Sequence, residues 1–327
     1  MSKKGRILSG MRPTDKLHIG NLIGALNNWV RLQDEYECFY MVADWHALTT
    51  HYADTKELQN NIREMVVDWL AVGLDPDKSV LFRQSDVVEH SELHLLLSMV
   101  VPVSWLERCP TYKEQMQEVK DKDISTYGFL GYPVLQSADI LIYKANVVPV
   151  GEDQLPHLEL CREITRRFNN FYGSIFPEPQ ALLSESARVP GIDGRKMSKS
   201  YSNAIYLSDS ESVVDKKIQQ MFTDPKKIRV DDTGHTDECV VFAFNKIFFE
   251  NCQEIEKECH SGKIGCVKCK KELSKRVNSV LNPVREKREK ILKEKDLIEK
   301  VLKTGRERAS AVAGKTMDEV RKAIRIS

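Results

Sequence analysis

The stretch ECHSGKIGCVKCKK, Glu258 to Lys271, sets three cysteines and a burst of lysines around a glycine-bounded loop. Five of the eight cysteines, Cys239, Cys252, Cys259, Cys266 and Cys269, fall between positions 239 and 269. In a reducing compartment, Cys-x2-Cys spacing suits metal ligands or redox pairs better than structural disulfides. Cys38, Cys109 and Cys161 lie scattered in apolar segments and read as core thiols. From Lys257 to Asn278, seven Lys or Arg face two Glu, a local excess of positive charge in a chain whose net charge is +1. Such a patch holds phosphate backbones, although a merely solvated helical face has the same composition.

Two further stretches carry groups suited to phosphate chemistry. In SGMRPTDKLHIGNLIG, Pro13 and Asp15 mark a turn and His18 stands where a helix would start. Gly20 and Gly24 let a ligand come close, and His18 and Asn21, three apart, share a face at a helix N-terminus that favours anions. A capping histidine followed by two packing glycines fits the same residues. In GRKMSKSYSN, Lys196 and Lys199 flank small hydroxyl residues and form a cationic flap able to neutralise a leaving pyrophosphate. On its own, a Lys/Ser loop is more often a solvated turn.

The elements that must position these groups are legible as periodicities. RILSG, CFYMVAD, SVLFRQS and VVPVG read as strands buried on both faces, and CVVFAF is a further strand candidate. Between them, HIGNLIGALNNWVRLQ and TKELQNNIREMVVDWLAVG show apolar residues at helical spacing, the second stopped by Gly73. This alternation predicts an α/β, doubly wound parallel sheet, whose ligands bind at the carboxyl ends of strands, just after Leu8, Ala43 and Val150. The first strand is not followed by G-x-G-x-x-G, so a dinucleotide fingerprint is absent. From Ser210 onward the charged, helical character predicts a second, all-helical domain. No signal peptide or long apolar run is present, so a cytoplasmic protein with no membrane span is expected.

The joint occurrence of HIGN (His18 to Asn21) and KMSKS (Lys196 to Ser200) resembles the class I aminoacyl-tRNA synthetases, whose signature motifs are HIGH and KMSKS. VADWHALTT, YPVLQSADILIY, VPVGEDQ and FTDP resemble the bacterial-type tryptophanyl-tRNA synthetases in particular, over essentially the whole chain. The resemblance implies a Rossmann-like, HUP-type fold. It divides the chain into a nucleotide-binding catalytic domain with an inserted helical hairpin at 1–189, a KMSKS loop at 190–203 and a helical tRNA anticodon-binding domain at 204–327. It implies ATP-dependent activation of L-tryptophan to tryptophanyl-AMP, then acylation of tRNA(Trp), with Mg2+ on the phosphates and a homodimeric assembly.

Residue by residue, the resemblance implies that Asp139 accepts the indole N–H, a complete pairing because a carboxylate only accepts and indole only donates. Gln136, His46, Val148 and Val150 line the same pocket, and Gln154 orients the amino acid. Gly151, Glu152 and Asp153 contact the adenosine; Asp153 capping the next helix is the structural alternative. Arg12, in a segment where the family often has Gln, holds the α-phosphate or the substrate carboxylate as a fixed cation. Pro13, Thr14, Gly20, Asn21, Val189, Met197, Ser198 and Ser200 complete the ATP site. His18, Asn21, Lys113, Lys196 and Lys199 are the catalytic set, with Lys113 reaching the triphosphate from the hairpin. IGCVKCKK resembles the signature of those relatives that carry a 4Fe–4S cluster, which implies Cys239, Cys259, Cys266 and Cys269 as ligands and Cys252 as the spare. A zinc held by the same four thiolates is the rival. A tyrosine-specific enzyme of the same subclass, or a non-catalytic metal-bearing RNA-binding protein of the same fold, are the alternative functions.

Overall fold

The computed structural model describes residues 3–110, 112–113, 124–183, 189–197, 201–249 and 251–326. Five parallel strands, β1 (Arg6–Met11), β2 (Glu37–Val42), β3 (Ser79–Arg83), β4 (Val147–Val150) and β5 (Gln180–Leu183), form one sheet in the order β3-β2-β1-β4-β5. The register aligns Ile7 with Cys38 and with Val147, so β1 is central and the order reverses between β1 and β4. That reversal opens a crevice at the strand ends, as expected of a doubly wound sheet. Five of the six residues of β2 are buried, which its unbroken apolar run requires of a strand covered on both faces. β5 was not foreshadowed: QALL is short and lies at the sheet edge, so it has no alternation to betray it.

Helices cover both faces: α1 (Asn27–Glu35), α2 (Asp44–His51), α3 (Leu58–Val72), α4 (Glu89–Ser98), α5 (Tyr132–Ile142) and α6 (Leu155–Tyr172). α3 stops as its sequence predicts, with Gly73 left-handed at φ 113° and its N–H returned to the carbonyls of Trp69 and Leu70. The helical half comprises α7 (Glu211–Gln219), α8 (Val240–Phe248), α9 (Gln253–His260), α10 (Cys266–Lys293) and α11 (Leu297–Ile324). VVFAF of this stretch belongs to α8, with Cys239 as its N-cap, rather than to a strand. Val240, Val241 and Phe244 recur at helical spacing and are buried against the core, so tertiary packing overrides their β-branched preference.

The two halves share cores. Leu273, Val277 and Leu281 of α10 pack in the same cluster as Ile62 and Val66 of α3. Ala309, Ala313 and Met317 of α11 join Val80 and Phe82 of β3. Arg288 of α10 ion-pairs with Glu64 at 2.7 Å and with Asp68, both on α3. The end of the expected helical unit therefore lies on the sheet itself, over the β3 edge. Among the described residues no helix is long and apolar enough to cross a membrane.

Candidate active site

The crevice at the carboxyl ends of β1 and β4 is a cavity of about 540 Å3. β1 runs into it through Met11 and Arg12, and the turn after β4 brings Gly151, Asp153 and Gln154. α5 contributes Gln136 and Asp139, α2 contributes His46, and Val148, Val150 and Asn21 also line the cavity. Sequence positions far apart thus converge where a parallel sheet reverses order.

Asp139 is the electrostatic centre of this cavity and only 1% exposed. Its Oδ2 accepts from His46 Nε2 at 2.7 Å; its Oδ1 accepts from Gln84 Nε2 at 2.8 Å and His90 Nδ1 at 2.6 Å. Burial pushes the carboxyl pKa up, but the hydrogen bonds and charges of the two histidines outweigh it and hold the group below the usual carboxylate range. The carboxylate is therefore ionised and has one of its roughly four acceptor places left.

Elsewhere in the cavity lining, His157 links two polar groups. The Tyr132 hydroxyl lies 2.7 Å from His157 Nε2, and Gln154 Oε1 lies 2.9 Å from His157 Nδ1. Burial lowers the pKa of His157 to about 4, so the neutral ring donates from Nδ1 to Gln154 and accepts from Tyr132. The Gln154 amide is thereby oriented with its NH2 free to donate beyond Asp153 Oδ2, which it meets at 3.3 Å. Gly151 leaves room for the Asp153 carboxylate, whose Oδ1 would lie 2.6 Å from a Cβ at 151.

The HIGN segment forms one short turn, Ile19–Asn21, continued by a π-helical turn into α1. The His18 N–H donates to Asn21 Oδ1 at 3.0 Å, which closes the turn. The His18 ring folds over Gly20, where a Cβ would stand 2.8 Å from Nδ1. Burial lowers the His18 pKa against the opposing charge of Asp15, and Nδ1 is buried without a hydrogen-bond partner. Of the HIGN residues Asn21 lines the cavity, whereas His18 does not. The segment is held from beneath by Ile205 and Leu207, through Ile19 N to Ile205 O and Leu207 N to Leu17 O, both 2.9 Å.

These two segments and the chain as a whole match known proteins. The family model for class I tRNA synthetases (W and Y) matches residues 1–282. A tryptophan–tRNA ligase of Thermotoga maritima is 54% identical, with 98% of this chain and 99% of that protein covered. One from Aquifex aeolicus is 47% identical, covering 98% and 100% respectively. The crystal structure of tryptophanyl-tRNA synthetase from Campylobacter jejuni complexed with ADP and tryptophan superimposes with a TM-score of 0.88 at 34% identity, over 98% of this chain and 99% of that one.

The chain belongs to the class I tryptophanyl-tRNA synthetases of bacterial type. It is an aminoacyl-tRNA synthetase, and its reaction is tryptophan–tRNA ligation.

In this synthetase Arg12 and Asp153 also line the crevice, whereas the other remaining predicted residues do not. Arg12 lies in the cavity lining with surface open to water, and the protein packed around its guanidinium lowers its pKa by desolvation. Pro13 and Thr14 line an adjoining cleft with His51 and Asn61. Glu152 and Asp153 are exposed, as are Lys113 and Lys196, while Met197 and Val189 are buried. Met197 lies beneath the HIGN turn, its sulfur 3.8 Å from where a Gly20 Cβ would be. Ser198, Lys199 and Ser200 lie outside the described residues, as does the middle of the expected hairpin at 114–123. Asn203 anchors the described part of the loop, donating to Asp193 Oδ1 at 2.7 Å and Lys196 O at 3.1 Å.

The four expected thiols converge at the junction of α8, α9 and α10. The thiols of Cys239, Cys259 and Cys269 have raised pKa values, mainly from burial, and Cys266 adds to the shift in each. Cys239 and Cys259 likewise act on Cys269, whose thiol is pushed up to about 12. Cys252 instead stands at the N-cap of α9. Asn245 Nδ2 lies 3.6 Å from Cys269 Sγ, and Gly234 leaves no room for a Cβ beside Cys259 Sγ. Among the described residues no three His, Cys, Asp or Glu side chains are grouped to hold a single metal ion. The described arrangement by itself therefore shows neither a zinc ion nor an iron–sulfur cluster at these thiols.

Gln84, His90, Tyr143, Tyr132 and His157 were not singled out from the sequence. His90 had a signal: it occupies an apolar stripe with Leu93 and Leu97, where a polar ring needs a partner. Gln84 directly follows β3, at the carboxyl edge where ligands bind.

Proposed function

We propose that the cavity binds L-tryptophan and ATP and that this chain's residues act as follows. Asp139 accepts the indole N–H through its remaining acceptor place. Apolar rivals without that N–H leave a buried carboxylate short of a partner, which makes rejection steep. Val148, Val150 and Gln136 flank the ring, and Gln154, fixed by His157, orients the ammonium end. Gly151, Glu152 and Asp153 face the ribose, and Arg12, His18 and Asn21 the phosphates. The buried, ionised Asp139 lining the cavity is the observation that carries this reading.

Chemistry then needs positioning and charge, not a covalent enzyme intermediate. The tryptophan carboxylate oxygen attacks the α-phosphorus of ATP and the bond to pyrophosphate breaks. Lys196, Lys199 and Lys113 offset the charge that develops on the leaving group. Mg2+, when bound, neutralises phosphate oxygens. The terminal ribose hydroxyl of tRNA(Trp) then attacks the acyl carbon, and AMP leaves. Lys113 and Lys196 extend into solvent, as side chains that meet a triphosphate at the crevice mouth must.

The unit 204–327 is proposed to bind the tRNA. Lys257, Lys263, Lys268, Lys271, Lys275 and Arg276 are all exposed on α9, α10 and their connecting loop, which suits a phosphate backbone. Cys239, Cys259, Cys266 and Cys269 are proposed to hold a 4Fe–4S cluster, which would pin that loop. The IGCVKCKK spacing and the mutual influence of the four thiols support this reading. Val88, Leu95, Met99 and Val103 are each more than half exposed and fit burial against a second copy in a homodimer. The protein is proposed to work in the cytoplasm.

ATP–pyrophosphate exchange tests the assignment. Exchange supported by tryptophan and not by tyrosine is expected, and exchange with tyrosine alone would overturn it.

A further inference from the structure

We propose that His90 is the positioning residue for indole recognition, because from behind the pocket it determines which oxygen of Asp139 faces the ligand. The inference rests on the reading of Asp139 as the indole acceptor. His90 is 0% exposed and contributes nothing to the cavity wall, so it acts only through its neighbours.

The argument is a count of acceptor places. Each oxygen of an ionised carboxylate accepts about two hydrogen bonds. Oδ1 receives Gln84 Nε2 and His90 Nδ1, at 2.8 and 2.6 Å, and is thereby saturated. Oδ2 receives His46 Nε2 alone, at 2.7 Å, so the free place is on Oδ2. Gln84 has its own orientation set by Trp45, whose N–H donates to Oε1 at 3.2 Å.

The proton on His90 is likewise dictated. Nε2 lies 2.7 Å from the Tyr143 hydroxyl. An ionised carboxylate only accepts, so Nδ1 carries the proton of the bond to Asp139 Oδ1. Burial raises the Tyr143 pKa well above its ordinary value, so that hydroxyl stays protonated and holds the other side of the ring. Both Tyr143 and His90 are wholly buried, so no water competes. Without the Nδ1 donor, Oδ1 recovers a place, the two oxygens become near-equivalent, and the carboxylate is free to turn about its last bond.

Two isosteric substitutions separate this role from mere packing. His90→Asn places an amide donor where Nδ1 stands; His90→Gln places one where Nε2 stands and reaches Tyr143 instead. The probe is ATP–pyrophosphate exchange with tryptophan and with its analogue carrying sulfur in place of the indole N–H. His90→Asn is expected to keep the wild-type preference for tryptophan to within about threefold. His90→Gln is expected to lower it about tenfold or more, through KM for tryptophan with KM for ATP unchanged, as loss of a buried hydrogen bond to a charged group predicts. Equal behaviour of the two variants overturns the proposal. A wild-type protein that does not prefer tryptophan over the sulfur analogue overturns the reading of Asp139 itself, whatever His90 does. Should neither variant fold, Tyr143→Phe is the second test: it unties Nε2 and is expected to raise KM for tryptophan by about threefold at constant KM for ATP, from loss of one buried hydrogen bond. Unchanged constants in that variant count against the proposal.

Discussion

Gly305 of α11 rests directly on the backbone carbonyl of Leu81 in β3, so closely that a Cβ at 305 would overlap it. Arg308, one turn on, donates to the carbonyls of Pro76 and Ser79 at 2.8 and 3.1 Å. The last helix thus covers the edge strand of the catalytic sheet, an edge that would otherwise offer unpaired backbone to other chains. Gly305→Ala must push the helix off the strand, and a backbone carbonyl cannot yield as a flexible side chain does. A loss of about 1–3 kcal/mol, the usual cost of overpacking, is expected in urea unfolding. KM values for tryptophan and ATP, measured on the folded fraction, should stay near wild type.

His157 makes stability depend on pH in a definite direction. Its pKa falls from the ordinary histidine value of 6.5 to about 4 in the fold, because burial disfavours the charged ring. The unfolded chain therefore binds more protons than the folded one between those values, and stability rises with pH across that window. The contribution is complete above about 6.5 and is lost as pH falls through about 4, on the order of 3 kcal/mol over the interval. Unfolding free energy against pH, compared with His157→Gln, should show a shallower slope in the variant between pH 4 and 6.5. An identical slope would mean that His157 is not held neutral.

Much of this protein was legible before any coordinates. The strand sequences and Gly73 announced a parallel sheet and a helix stop, because both depend on local periodicity and backbone freedom. HIGN and GEDQ pointed to the crevice for the same reason: strand ends and helix starts are local features. What stayed hidden depends on contacts between distant segments. The family resemblance singled out Asp139 as the indole acceptor, but the donors that fill all but one of its acceptor places come from 46, 84 and 90, distant in sequence. The end of the chain looked like a separate charged helical unit because its polar face dominates the composition. Its small residues, Gly305, Ala309 and Ala313, show their purpose only against β3.

The cysteine cluster is testable without measuring activity. Cys239→Ser and Cys266→Ser are expected to lose iron and the charge-transfer absorption of protein purified without oxygen, whereas Cys252→Ser keeps both. In the proposed cluster each thiolate would be one of four attachments, so a single loss would destabilise it. Tryptophan-dependent pyrophosphate exchange should fall less than tRNA charging, since the cavity is built from other elements. Iron retained in Cys239→Ser but lost in Cys252→Ser would exchange the two assignments.

The exposed lysines of α10 should act on tRNA and not on tryptophan activation. Lys268, Lys271 and Lys275 project from the first turns of the helix and are exposed. They lie far in sequence from HIGN and the β4 turn, and none lines the cavity. Each lysine that neutralises a phosphate releases a counterion, so the logarithm of affinity falls with the logarithm of salt by about 0.9 per contact in duplex and about 0.7 in single strands. Replacing all three by Gln is therefore expected to lower the salt slope of tRNA binding by about 2 to 3, if each meets one phosphate. KM for tRNA in charging should rise with it, and pyrophosphate exchange should not change. A salt slope equal to that of the wild type would place the tRNA on another face of the helical half, because no compensating cation enters with these substitutions.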